Sequence, residues 1–101
     1  MNIFKNIFSR SGSTNLRAIL GNDALLVDER SPGEYARGQD AGSVNIPVNA
    51  LPSQLSKFKD RKNIMVVCRS GSSLAKSILK QNNFTNVVNG GTWENVVQFV
   101  N

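Results

Sequence analysis

Cys68 is the only cysteine in this chain, and it stands directly before Arg69-Ser70-Gly71-Ser72-Ser73. A thiol attacks or carries sulfur as its thiolate, and a free cysteine, with a pKa of roughly 8.5, is mostly protonated at neutral pH. A histidine commonly supplies the missing base, but none of the 101 residues is histidine. That composition also removes Ser-His-Asp and Cys-His catalysis and HExxH zinc sites. A thiolate at Cys68 must then be favoured by a helix N-terminus, by inward-pointing backbone N–H groups and by a neighbouring cation, here Arg69. Gly71 permits a backbone turn that a Cβ would hinder, and Ser70, Ser72 and Ser73 offer hydroxyl donors. A buried structural thiol is the competing explanation of Cys68 taken alone. The polar run around Gly71 argues against it, because the end of a core strand seldom needs such a sequence.

The elements around Cys68 follow from periodicity. Asn63 to Val67 is apolar, partly β-branched and bounded by charge, which predicts a strand. Leu74, Ala75, Ile78 and Leu79 share one helical face, so a helix over 74–81 follows the cysteine loop. Upstream, a short helix over 16–20 is stopped by Gly21 and can be capped by Ser13 or Thr14. Ala24 to Val27 reads as a buried strand. Ser31-Pro32-Gly33-Glu34 has capping-box spacing for a helix through Arg37 that Gly38 ends. Ser43 to Ile46 reads as a short strand closed by Pro47, and Leu51, Leu55 and Phe58 as a helix. Val87-Val88 reads as a strand, Gly90-Gly91 as a turn, and Trp93, Val96, Val97 and Val100 as a final helix. Strands alternating with helices predict an α/β domain with a mostly parallel central sheet flanked by helices on both faces. Ligands in such sheets gather at the carboxyl ends of the strands, where Cys68 falls.

The bulk numbers bound the rest. The length suits one domain, read as 16–101, after an N-terminal segment over 1–15. In that segment Ile3, Phe4, Ile7 and Phe8 suggest a short amphipathic helix or a frayed end. A membrane-surface anchor is the second reading, disfavoured by the shortness of the stretch, and the segment lacks the features of a secretory signal. No apolar run is long enough for a membrane span. A single cysteine excludes an internal disulfide or a four-cysteine zinc site and suits a reducing, cytoplasmic compartment. Twelve basic residues against seven acidic give a net charge of +5. The one basic cluster, Lys57, Lys59, Arg61 and Lys62, reads first as a solvated connection and second as a dock for an acidic protein. Nucleic acid is disfavoured, because no aromatic platform accompanies the cluster. Asp28 and Arg30 read as a structural ion pair, and Trp93 as core.

From about Leu16 onward the sequence resembles the rhodanese homology domain. Leu25-Leu26-Val27-Asp28-Glu29-Arg30 is similar to that family's apolar strand ending in Asp-x-Arg. Ser31-Pro32-Gly33-Glu34-Tyr35 matches the Glu-Phe/Tyr helix after it. Gly38 with Gly42-Ser43-Val44-Asn45-Ile46-Pro47 resembles Gly-His-Ile-x-Gly-Ala-x-Asn-Ile-Pro, and the Cys68 loop and Gly90-Gly91 with Trp93 complete the order. Gln39 replaces the histidine, Asp40 and Ala41 alter the same turn, and Ser73 stands where many single-domain members have arginine. The resemblance implies a rhodanese-like fold and a sulfurtransferase with Cys68 as the persulfide carrier. Arg69, Ser70, Gly71, Ser72 and Ser73 would form the substrate-binding loop. The implied partners are a small anionic sulfur donor such as thiosulfate, or a persulfide, and a thiol or cyanide acceptor, protein thiols included; no cofactor or metal is implied. A cysteine phosphatase would need Cys-x5-Arg, and that position is Leu74; the six-residue loop length is the one associated with sulfur transfer, which sets phosphatase and arsenate reductase aside. A non-catalytic binding or regulatory module, or a protein-to-protein sulfur relay docking through Lys57–Lys62, is the alternative.

Overall fold

The structure is a computed structural model and describes residues 16–21, 23–69 and 74–100. The expectations for 1–15 and for Ser70 to Ser73 lie outside these residues. Four strands, β1 (Ala24–Asp28), β2 (Val44–Asn45), β3 (Asn63–Cys68) and β4 (Val87–Thr92), form one sheet in the order β2-β1-β3-β4. Every neighbouring pair is parallel. The α/β architecture is therefore the one expected from the alternation of strands and helices.

Period two along the strands sorts their side chains onto two faces, and helices bury both. Leu25, Val27, Ile64 and Val66 pack with Ile46, with Leu51 and Phe58 of a 3-10 segment (Val48–Phe58), and with Ala75 and Leu79 of a helix at Leu74–Gln81. Leu26, Met65 and Val67 point the other way, onto Leu16 of helix α1 (16–20) and Val96 of a helix at Trp93–Val100. Burial from both sides explains why β3 is a continuous apolar run rather than an alternating one. A fourth helix, α2 (Pro32–Arg37), has no buried residue and lies between β1 and β2 in the chain. In chain order the helices after it are α3 (Leu74–Gln81) and α4 (Trp93–Val100). The capping box at α2 forms as its spacing predicts: Ser31 Oγ accepts from the Glu34 amide, and Glu34 Oε1 accepts from the Ser31 amide, each at 3.3 Å.

Two elements differ from the sequence reading. The helix expected around Leu51, Leu55 and Phe58 is a kinked 3-10 run. Pro52 inside it has no amide to donate, and Gln54 leaves helical geometry at φ −119, ψ 18. The apolar spacing still buries Leu51 and Phe58. Gly90 and Gly91 lie within β4 instead of turning the chain. Their ladder to β3 shifts between Val66 and Val67, and Gly91 has φ +85, the mark of a bulge that takes a glycine. Gly90 is required for space: a Cβ there would meet Val67 Cγ1 at 2.9 Å and Met65 Cγ at 3.1 Å. Both contacts lie in the middle of the sheet's core, where neighbours have little room to yield. Gly90→Ala is expected to lower the free energy of unfolding by about 1–3 kcal/mol in urea titration; an unchanged midpoint would remove the close-packing argument.

Candidate active site

The chain leaves β1 toward β2 and leaves β3 toward β4, so the connections diverge at the seam between β1 and β3. In a parallel sheet a crevice opens at such a point, outside the carboxyl ends. Four residues end the strands along this edge: Asn45, Asp28, Cys68 and Thr92. Register aligns them, with Asp28 beside Asn45 and Val67, and Cys68 beside Thr92. The edge is a property of parallel pairing, which brings every carboxyl terminus to one side.

Arg30 ties this edge together. Its Nε donates to Asp28 Oδ1 at 2.9 Å and to Oδ2 at 3.0 Å, while its Nη2 lies 2.9 Å from Oδ2. The same guanidinium donates to the carbonyls of Glu34 and Gly38 and lies over the Trp93 ring, 4.5 Å from its centre. Asn45 Nδ2 donates to the carbonyls of Asp28 and Arg30 at 3.0 and 2.9 Å. The Asp28 and Arg30 side chains are 0% and 5% exposed, so desolvation of both charges is met by a full set of hydrogen bonds. The pair and Trp93 are thus structural, as their types and spacing suggest.

Cys68 closes β3 as a buried residue at 6% exposure, with Sγ 4.0 Å from the Gly91 carbonyl oxygen. Helix α3 begins at Leu74, six positions on, which sets a helix N-terminus after the cysteine loop. Arg69 turns outward. Its side chain is 78% exposed and its Nη1 lies 3.4 Å from Glu34 Oε2 at the start of α2. Hydrogen bonds from Ser31, more than Arg69, hold the Glu34 carboxyl below its ordinary range. Of the expected loop residues the described set contains Arg69; Ser70, Gly71, Ser72 and Ser73 lie outside it. The basic residues Lys57, Lys59, Arg61 and Lys62 precede the amino end of β3 and are exposed. A six-residue strand separates that end from Cys68 by about 17 Å, so the cluster flanks the edge opposite the cysteine.

Comparison with known proteins decides the family. The profile described as "Rhodanese-like domain" matches residues 13–94. The chain belongs to the rhodanese-like domain family. It is 32% identical over 81 residues to an Allochromatium vinosum protein named "Sulfurtransferase", covering 78% of this chain and 76% of that one. It is 29% identical over 68 residues to the uncharacterized protein YqhL of Bacillus subtilis, covering 65% of this chain and 54% of YqhL. Among solved structures, SSP1007 from Staphylococcus saprophyticus matches with a TM-score of 0.66 at 28% identity, over 86% of this chain and 88% of that one. The reduced Bacillus anthracis CoADR-RHD matches with a TM-score of 0.63 at 26% identity, over 87% of this chain but 16% of that longer chain.

Two buried carboxylates at this edge of the rhodanese-like domain escaped the sequence reading. Asp40 is 1% exposed, and neither carboxylate oxygen has a hydrogen-bond partner among the described residues. Burial raises its carboxyl from 3.8 to about 6; Asp28 and Glu94 add to the rise and Arg30 opposes it. Glu29 is 8% exposed, and its carboxylate accepts from the Ala75 amide at the start of α3. Oε2 has no partner among the described residues. Burial, offset by the Ala75 amide and reinforced by Asp28, raises this carboxyl from 4.5 to about 6. Alternation along β1 was the available signal: Leu25 and Val27 face α3, so Glu29 continues the same face.

The folded state binds more protons than the unfolded chain between 3.8 and about 6 at Asp40, and between 4.5 and about 6 at Glu29. Stability should therefore fall as pH rises through these windows and stay lower above them. Asp40→Asn removes the larger share. It is expected to stabilise the protein by about 1–3 kcal/mol at pH 8 and by close to nothing near pH 4, read from urea unfolding. An equal gain at both pH values would contradict the charge argument.

Proposed function

We propose that this chain is a sulfurtransferase that carries sulfane sulfur as a persulfide on Cys68. The observation that carries the reading is the position of Cys68. It ends the strand at the sheet's divergence point, buried, with α3 beginning six positions later. Membership of the rhodanese-like family and the name of the Allochromatium vinosum relative support it.

The reaction is a double displacement. The Cys68 thiolate attacks the outer sulfur of a donor such as thiosulfate. A bond forms at Sγ while the donor's S–S bond breaks, and sulfite leaves with the bonding pair. An acceptor thiolate or cyanide then attacks the outer sulfur of Cys68–S–S⁻. That S–S bond breaks, the product thiocyanate or persulfide departs, and Cys68 returns as the thiolate. The bond changes require neither metal nor cofactor; they require stabilised anions.

Arg69, Ser70, Gly71, Ser72 and Ser73 are the groups proposed to supply that stabilisation, through backbone amides, hydroxyls and one guanidinium. The Arg69–Glu34 contact is exposed and solvent-screened, so it gives way readily to a donor anion. A net charge of +5 favours the approach of an anionic donor.

With thiosulfate and cyanide, initial rates should give parallel double-reciprocal lines, and Cys68→Ser should abolish turnover while remaining folded. Intersecting lines, or activity persisting in Cys68→Ser, would contradict the persulfide route.

A further inference from the structure

A second acidic group shares the end of the sheet with Cys68. The β1–β3 register pairs Asp28 with Val67, and one further step sets Glu29 beside Cys68. The bond that this step requires is present: the Glu29 amide donates to the Val67 carbonyl at 2.9 Å. Period two puts both side chains on the face that α3 covers, because Val27 and Val66 already lie there. Adjacent strands run about 4.8 Å apart, so the two side chains start as neighbours. The Glu29 carboxylate reaches the Ala75 amide, at the same helix N-terminus that would hold an anionic sulfur. It is more than nine-tenths buried and keeps Oε2 without a partner among the described residues. One N-terminus cannot hold two full negative charges at this spacing without cost.

We propose that Glu29 is a positioning residue that shares a single negative charge with the sulfur of Cys68. When the sulfur is a thiol, Glu29 is the anion and takes the Ala75 amide. When the sulfur is a thiolate or a persulfide anion, the proton resides on Glu29 Oε2. Loading then passes the Cys68 thiol proton to Glu29, and unloading, once the acceptor has taken the outer sulfur, passes it back to the freed Cys68 sulfur. The facing groups from each packed element agree with this arrangement. Asp28 on β1 is paired with Arg30 and still adds to the rise of the Glu29 carboxyl. The 3-10 segment carries no charge before Lys57. On α3 the cations Lys76 and Lys80 follow the Ala75 amide along the helix. The raised Glu29 carboxyl, about 6, puts the exchange within the neutral range.

This inference deepens the sulfur-transfer reading and rests on it for the persulfide; its test uses alkylation, so the two can fail separately. Cys68 of the wild-type protein is capped with iodoacetate, which leaves an anion, or with iodoacetamide, which leaves a neutral group of nearly the same size. The Glu29 carboxyl carbon is then titrated by NMR. The midpoint is expected about one pH unit higher with the anionic cap. A parallel experiment follows iodoacetamide alkylation of Cys68 against pH. Glu29→Gln keeps an oxygen for the Ala75 amide and removes the charge. It is expected to react at the wild-type rate near pH 5 and about threefold faster at pH 7.5, where wild-type Glu29 is ionised. Equal NMR midpoints for the two caps would overturn the proposal, even with sulfurtransferase activity intact, and so would rate profiles that run parallel at all pH values.

Discussion

The parallel pairing of β1 with β3 is the constraint on which the rest of this molecule depends. Five residues of each strand are in register, and both strands are sealed on both faces. Parallel pairing sends the chain ends to opposite edges. The apolar residues remain in the middle, and the polar continuations of both strands emerge together at one edge. Glu29, just past one strand, comes beside Cys68 of the other for this reason. The divergence of the connections at the same seam keeps helices from closing over it. Gly90 serves this constraint from the neighbouring strand, because a side chain there would push into Met65 and Val67 of β3.

This edge holds acidic groups in unequal condition. Asp28 is paired with Arg30, which in turn is held by two carbonyls and an aromatic face, and its charge still raises the Glu29 and Asp40 carboxyls. Glu29 and Asp40 are buried with oxygens that lack partners among the described residues. Burial without partners costs stability at neutral pH, and the cost is relieved by a proton. At Asp40 this cost raises the carboxyl to about 6. At Glu29 the same physics lies beside the one cysteine, where a mobile proton is useful in a chain without histidine.

Much of the fold was legible because it is local. The apolar runs of β1 and β3, the capping box at Ser31–Glu34 and the apolar face of α3 each depend on residues a few positions apart. The sequence misled where tertiary context overrides a local signal. Gly90-Gly91 looks like a turn, yet in the sheet these glycines admit a bulge and a close approach to β3. Pro52 sits inside apolar helical spacing but cannot sustain an α-helical ladder. The placement of Cys68 between a strand and a helix was legible. The placement of Glu29 beside it was not, because that depends on which strand pairs with β1 and in what register. The outward course of Arg69 was equally illegible, since its partner Glu34 belongs to another element.

The most direct test of the account is intact-protein mass spectrometry after incubation with thiosulfate, followed by peptide mapping. Sulfur transfer through Cys68 predicts a gain of one sulfur atom, located on Cys68 and removed by cyanide. Failure of Cys68 to acquire sulfur from thiosulfate, or from a small-molecule persulfide, would contradict it.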